Sequence, residues 1–163
     1  MKRYASLLLI VCMLIALLSA CGGEQPGEQP KSYTFKKGTL EIAVDADATP
    51  ILAALGAYKA YDATPSCAFA GEDKIYVYDG FQLQTYQKTA GGADYVYSVV
   101  LTDDTYTTPE GIAIGSASSL VLEKYGTPDE KTDTSITYST ARESLRFLIK
   151  DGSVTSVQYL KNV

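Results

Sequence analysis

Carboxylates and hydroxyls are the side chains of this sequence that could do chemistry. The densest carboxylates are Asp45, Asp47, Asp103, Asp104 and Glu110, and oxygen ligands clustered on loops could hold calcium. The segment that begins at Asp45 lacks the further acidic positions and the closing glutamate of a calcium loop. Helix capping and turn formation account for these aspartates without a metal. We therefore expect neither a metal site nor a cofactor.

The residue combinations that most hydrolases use are not found in this sequence. It contains no histidine, which removes Ser-His-Asp and Cys-His catalysis and every histidine metal site. Nothing places two acids in one apolar cleft, as glycoside hydrolysis requires. Ser116 lacks the Gly-x-Ser-x-Gly pattern of a nucleophile elbow and is typical of a helix N-cap. We expect no catalytic residue and no enzyme activity.

Tyrosines are the best candidates for binding, since the chain has 13 of them and no tryptophan. Tyr76, Tyr78, Tyr95 and Tyr97 fall on neighbouring predicted strands. Because side chains alternate along a strand, Tyr76 shares a face with Tyr78, and Tyr95 shares one with Tyr97. If helices cover that face, the rings are core; if it is open, they form an aromatic platform of the kind that dominates interfaces. The core is favoured, because a small fold must bury something.

The elements that would position these residues begin near Tyr33. Alternating apolar residues over 40–44 predict a half-buried strand. Thr49 is typical of an N-cap and Pro50 of a first helical residue, and Gly56 can take the left-handed conformation that ends a helix. We therefore predict a short helix between Thr49 and Gly56.

A hairpin is predicted at Asp79-Gly80, because both turn residues tolerate positive φ. A two-residue loop would pair Tyr78 with Phe81 and place both on one face with Tyr76 and Leu83. A three-residue loop with a bulge would change that pairing, and the sequence leaves both possibilities open. The predicted strands of this first half cover residues 65–70, 74–78, 81–87 and 95–101.

The second half repeats the pattern of the first. A helix is predicted from Ser116 to Gly126, followed by strands over 136–140, 144–150 and 154–160, the last two flanking Asp151-Gly152. The helix-ending glycines of the two halves are 70 positions apart, and the hairpin glycines 72. These spacings predict an α+β fold in which short helices pack on one face of a curved antiparallel sheet. They also predict two similar α-β-β-β halves, at about 33–104 and 105–163.

The segment from Gly111 to Pro128 carries a resemblance to known families. Its glycine-flanked entry, short helix and closing Tyr125-Gly126-Thr127-Pro128 turn are similar to the opening helix of small bacterial envelope lipoproteins of the outer-membrane-assembly type. They are also similar to the repeat unit of the β-lactamase-inhibitor protein. The resemblance implies helices on an antiparallel sheet and binding without catalysis. The inhibitor has disulfides, whereas this chain cannot form one once Cys12 and Cys21 are removed or modified.

The first 21 residues resemble the signal of a bacterial lipoprotein. Lys2 and Arg3 precede an apolar run, and Leu18-Ser19-Ala20-Cys21 resembles a lipobox. The resemblance implies cleavage before Cys21 and lipidation of its thiol, including palmitate. Residues 1–20 are thus the predicted signal peptide, and 21–32, with Glu-Gln-Pro twice, a flexible tether. The globular domain is predicted over 33–163. Cys67, the cysteine left over, is expected to be a small buried hydrophobe.

Composition bounds the function further. The chain carries 14 basic and 19 acidic side chains, and an acidic chain without a basic cluster argues against nucleic acid. Together with the lipobox resemblance, this predicts a lipoprotein anchored by lipid on the extracytoplasmic side of a bacterial cell membrane. It would act as a non-catalytic binding or protein-interaction module with a protein or envelope partner. The alternative is a lipoprotein that binds a small solute or a cell-wall fragment.

Overall fold

A computed structural model describes residues 32–162, which form an α+β fold of ten strands and two helices. The predicted class is confirmed. The elements of the first part are β1 (Phe35–Lys37), β2 (Leu40–Ile42), α1 (Ala48–Leu55), β3 (Ala60–Pro65), β4 (Glu72–Val77), β5 (Phe81–Gln87) and β6 (Asp94–Leu101). Those of the second part are α2 (Ser118–Tyr125), β7 (Glu130–Lys131), β8 (Ser135–Ser139), β9 (Glu143–Lys150) and β10 (Ser153–Lys161).

Eight of the strands form one antiparallel sheet in the order β3-β4-β5-β6-β10-β9-β8-β7. Each helix is followed by four consecutive strands, and the two series meet where β6 pairs with β10. The sequence predicted three strands after the second helix and missed β7, because its two residues leave no periodic pattern. β1 and β2 form a separate hairpin.

The Asp79-Gly80 hairpin has the two-residue loop. The N–H of Tyr78 donates to the carbonyl of Phe81 at 2.9 Å, and Tyr76 pairs with Leu83. All four of these side chains are buried, as predicted for one shared face. At the second hairpin Asp151 and Gly152 both have positive φ, which matches the twist of the flanking strands.

The core lies between one face of the sheet and the two helices. Ile51 and Leu55 of α1 and Val121 and Tyr125 of α2 belong to a single buried cluster with the sheet residues. Phe35 of the small hairpin also enters this cluster. The opposite side of the sheet, here called the open face, carries half-buried residues such as Gln82, Val100 and Gln158.

Both helices end as predicted but begin elsewhere. The N–H groups of Gly56 and Gly126 donate to Leu52 and Leu122 and close the two helices. Asp47 is the N-cap of α1, because its carboxylate accepts from the Thr49 N–H at 2.8 Å, so the Thr49 prediction was wrong.

The predicted N-cap of the second helix was also wrong. α2 begins at Ser118, after Ala117, and no side chain caps it. The Ser116 hydroxyl instead accepts from the Ala113 N–H at 3.0 Å in the preceding turn. Ser116 therefore stabilises the turn that leads into the helix. A serine in such a turn and a serine at an N-cap look alike in sequence.

Residues 66–71 form a loop, and the strand predicted over 65–70 was wrong. The hydroxyl of Ser66 accepts from the N–H groups of Ala68 and Phe69, at 3.2 and 3.1 Å, and turns the chain. Cys67 lies on this turn and is exposed, so its predicted burial was also wrong. The strand that forms here, β3, precedes the loop.

Gly56 adopts a backbone conformation that would strain any other residue. Its φ of 73° and ψ of −144° lie in a region that side-chain-bearing residues rarely adopt. No atom lies within 4 Å of an added Cβ, so backbone strain alone decides the cost. We expect Gly56→Ala to lower the free energy of unfolding by about 1–3 kcal/mol in urea titration. The exposed neighbour Ala57, changed to Ser, should stay within about 0.5 kcal/mol, and equal effects would contradict the strain.

Candidate interaction edge and cavity on the open face

β3 is an exposed edge of the sheet. All six of its residues are exposed, and among the described residues it pairs only with β4. The Ser66 N–H donates to the Gly71 carbonyl at 2.9 Å, in register with the β3–β4 ladder. In an antiparallel ladder, every second residue forms backbone hydrogen bonds with the partner strand. Counting back from Ser66, Asp62 is such a residue, so the backbone N–H groups of Tyr61 and Ala63 point away from β4. Such groups are a template for another strand.

Two tyrosines extend this edge on the helix side of the sheet. Tyr58 and Tyr61, here called the edge tyrosines, are 48% and 45% exposed, and they are the large hydrophobic side chains of residues 32–162 that stand in solvent. Their ring centroids are 5.7 Å apart, and each lies within 5.4 Å of the buried Tyr76 ring. The edge tyrosines therefore pack against the core, and these ring contacts hold them in place.

The four tyrosines predicted from the sequence divide between two faces. Tyr76 and Tyr78 are 8% and 6% exposed and belong to the core, so they form no open platform. Tyr95 and Tyr97 are half-buried on the open face, beside the buried ring of Tyr86. The structure thus brings each predicted pair together and separates the pairs from each other.

Sequence reasoning missed the edge tyrosines. Tyr58 follows the end of α1, and Tyr61 lies on a strand with no apolar alternation, so neither belongs to a periodic pattern. The available signal was weaker, namely two tyrosines within four residues after a helix-ending glycine. Tyrosine is enriched at interfaces because one end is apolar and the other polar.

Burial holds the phenols of this region neutral. Desolvation, reinforced by the charge of Asp94, raises the pKa of Tyr76 to about 12. Burial also raises the pKa of Tyr86, which donates a hydrogen bond of 2.6 Å to Asp45. For Asp45 itself, partial burial raises the pKa, but the hydrogen bonds from Tyr86 and Lys161 outweigh it and lower the pKa below its usual value. Asp45 is therefore an ionised anchor between α1, β5 and β10.

The other carboxylates singled out in the sequence also have local roles. Asp47 caps α1, Asp103 accepts from the Thr105 N–H at 2.9 Å, and Glu110 accepts from the hydroxyl of Tyr125. Asp104 is exposed. Within residues 32–162 no three acidic or cysteine side chains converge on a point where a metal could sit.

A cavity of about 280 Å³ lies on the open face, beneath the loop of residues 66–71. Phe69 of this loop stacks on Tyr86, with ring centroids 4.4 Å apart, and fixes the loop over the sheet. The residues that line the cavity are Asp62, Thr64, Ala68, Phe69, Asp73, Lys74, Ile75, Gln84, Thr85 and Tyr97. Of the four tyrosines predicted from the sequence, Tyr97 is the one that lines it.

The fold and these two features define the chain as an α+β protein with a free sheet edge and a small cavity beside it. No family model and no curated protein matches the sequence. One solved structure has a similar backbone, an extracellular protein containing a SCP domain from Bacillus anthracis str. Ames. The TM-score is 0.46 at 12% identity, and the match covers 78% of this chain and 48% of that one, so this chain spans about half of that protein.

The features predicted for the N-terminus lie outside the described residues. These are the signal peptide over 1–20, the lipidated Cys21 and most of the tether over 21–32. Within the described part of the chain, neither helix is long and apolar enough to cross a membrane.

Proposed function

We propose that this chain is a lipid-anchored extracytoplasmic lipoprotein that acts as a non-catalytic protein-interaction module. Its β3 edge would receive an extended segment of a protein partner, which adds a strand to the sheet. The exposure of all six β3 residues beside the two edge tyrosines is the observation that supports this function. Soluble proteins normally shorten, charge or cover such an edge, so a long free edge with aromatic flanks is typical of strand addition.

The two sides of β3 define what the partner strand should carry. The side chains of Tyr61 and Ala63 lie on the helix side of the sheet, where Tyr58 also lies, and those of Asp62 and Thr64 lie on the open face. Because side chains of an added strand alternate in the same way, apolar residues would meet the edge tyrosines and basic residues would meet Asp62. The partner segment is therefore an alternating apolar and basic strand.

A second copy of this chain fits the edge less well. Antiparallel pairing of two β3 strands about a twofold axis would bring Asp62 of each copy close together, and like charges on neighbouring strands destabilise a sheet. Pro65 offers no N–H to a neighbour. The net charge of −5 adds long-range repulsion between copies.

We also propose that the fold consists of two similar halves, at about 33–104 and 105–163, in line with the resemblance to β-lactamase-inhibitor repeats. Equivalent hydrogen bonds support it. Asp45 donates its N–H to Val96, and Gly115, 70 positions later, donates to Val154. Both donors have positive φ.

The helix ends of the two halves agree equally closely. Gly56 has φ 73° and ψ −144°, and Gly126 has φ 74° and ψ −144°. In this comparison β3, with six residues, is the counterpart of β7, with two. The sheet would thus have a short edge strand, β7, in the second half and a long edge strand, β3, in the first half.

Two synthetic hexapeptides would test the interaction edge. One alternates valine and arginine, and the other has the same composition as three valines followed by three arginines. We expect only the alternating peptide to slow hydrogen exchange at the amides of Tyr61 and Ala63, measured by NMR on the protein. Equal protection by both peptides, or protection at amides remote from β3, would overturn the proposal.

The lipid anchor has its own test. We expect Cys21→Ser to abolish labelling by an alkyne-tagged palmitate and to leave the signal uncut or release the protein from the membrane fraction. Cys67→Ser, which removes the exposed thiol of the 66–71 loop, should leave the labelling unchanged. Labelling that persists in Cys21→Ser would contradict the anchor.

A further inference from the structure

The cavity on the open face has walls of two kinds. The rings of Phe69 and Tyr97 and the side chain of Ile75 provide apolar surface, and Gln84 provides an amide. The volume of about 280 Å³ is slightly below the range typical of drug-sized ligands, so it suits a group of side-chain size. A small cavity with mixed apolar and polar walls is a typical binding site.

The charge in this cavity is negative and uncompensated. Asp62 pairs with Ile75, and Thr64 pairs with Asp73, so the two aspartates lie diagonally on the same face of the β3–β4 ladder. The Cα atoms of such diagonal neighbours are about 7–8 Å apart. Within residues 32–162 neither carboxylate accepts a hydrogen bond or forms an ion pair that would neutralise it.

The single basic residue of the cavity wall is already engaged. Lys74 places its ammonium 3.0 Å from Asp94 and 3.9 Å from Glu72. The parity of β4 puts this side chain on the helix side, with Tyr76, whereas Asp73 and Ile75 face the cavity. Lys74 therefore lines the cavity without cancelling the charge of its two aspartates.

We propose that this cavity binds an alkylguanidinium or alkylammonium group. The cation lies between Asp62 and Asp73, and its alkyl stem packs on Ile75. The faces of Phe69 and Tyr97 add attraction for a cation through their π-electrons. The carboxylates of Asp62 and Asp73 would repel an anion.

The chemistry has two sources, a free small solute or a basic side chain of a bound peptide strand. Asp62 and Thr64 belong to both β3 and the cavity, so an added strand brings its own side chains next to the cavity mouth. The cavity itself does not depend on strand addition, because its walls are complete within this chain.

Butylguanidinium titrated into the full chain tests the site by NMR, with neutral butylurea as the isosteric control. We expect butylguanidinium to shift the signals of Ile75, Gln84 and Tyr97, and butylurea to bind at least tenfold more weakly. Asp73→Asn, which keeps the side-chain shape, should weaken butylguanidinium binding about tenfold. Glu123→Gln, an exposed position on α2 with the same change in charge, should leave it unchanged.

Three results would overturn the site. They are no binding of butylguanidinium at about 10 mM, equal binding of butylurea, or no effect of Asp73→Asn on binding. The alternating hexapeptide separates the sources. If Asp73→Asn weakens peptide binding, the cation comes from the partner strand; if only butylguanidinium responds, it is a free solute. Ala63→Pro, which blocks the edge, should not affect butylguanidinium, so a failure of strand addition and a failure of the cavity can be told apart.

Discussion

Ala63→Pro is expected to weaken binding of an extended partner by about tenfold or more while the fold stays intact. The substitution removes an N–H that points away from β4 and places a proline ring where the new strand must approach. Proline is tolerated at such positions of edge strands, so the free energy of unfolding should fall by less than about 1 kcal/mol. Fluorescence anisotropy with the alternating hexapeptide would measure the affinity, and urea titration the stability.

Ala63→Val is the matched control, since it keeps the N–H and favours the extended conformation. We expect it to bind the peptide as well as the unchanged protein does. If Ala63→Pro bound normally at normal stability, the partner could not be using the outward N–H of β3. If both variants lost binding, side-chain size at position 63 and not the backbone would be responsible.

Alkaline pH is expected to unfold this protein in one steep transition between about pH 10 and pH 12, because its tyrosines must ionise when they are exposed. Burial raises the pKa of Tyr33, Tyr76 and Tyr138 to about 12. A raised pKa in the folded state means that the neutral phenol stabilises the fold below pH 10, and that this stabilisation is lost as the pH rises towards 12. Each tyrosine that ionises only on unfolding contributes a slope of about 1.4 kcal/mol per pH unit.

Tyrosinate absorbance and circular dichroism, recorded together, would check this transition. The chain has 13 tyrosines and no tryptophan, so the absorbance reports phenols without interference. The absorbance change of the buried phenols should coincide with the change in circular dichroism, and most buried tyrosines ionising before the fold is lost would contradict the account.

Tyr159→Phe provides a matched variant for the alkaline transition. The Tyr159 hydroxyl is buried and has no hydrogen-bond partner among the described residues, and burial followed by the charge of Glu110 raises its pKa. Phenylalanine keeps the ring and removes both the unsatisfied hydroxyl and the ionisation. We expect the midpoint of alkaline unfolding to move to higher pH, and a downward shift would contradict the role of burial.

Local turn chemistry allowed much of the sheet to be predicted. Asp79-Gly80 and Asp151-Gly152 each form a two-residue hairpin loop, in which Gly80, Asp151 and Gly152 have positive φ, and the strands beside the loops follow by alternation. Tyr76 and Tyr78 could be assigned to one face for the same reason. Burial of that face was favoured only on the general ground that a small fold must bury something, because what covers it depends on where Ile51 and Val121 place their helices in three dimensions.

The candidate edge could not be predicted from its own residues. β3 is exposed on both faces, so its sequence shows no apolar alternation, and only pairing with β4 makes it a strand. The apolar stretch after it looked more like a strand, but the hydroxyl of Ser66 turns the chain there. Propensity was overridden in β3 by pairing with a neighbouring strand, and in residues 66–71 by a local turn within the segment.

Site-specific photocrosslinking in intact cells tests the central claim most directly. A photoreactive phenylalanine would replace Tyr61 on the β3 edge of the full-length chain, and in a second strain it would replace Tyr138, which is buried in the core. A third strain would combine the Tyr61 probe with Ala63→Pro. We expect one discrete protein crosslink from position 61, none from position 138, and loss of the crosslink with Ala63→Pro. A crosslink at position 61 that survives Ala63→Pro, or no crosslink from position 61 at all, would contradict strand addition at β3.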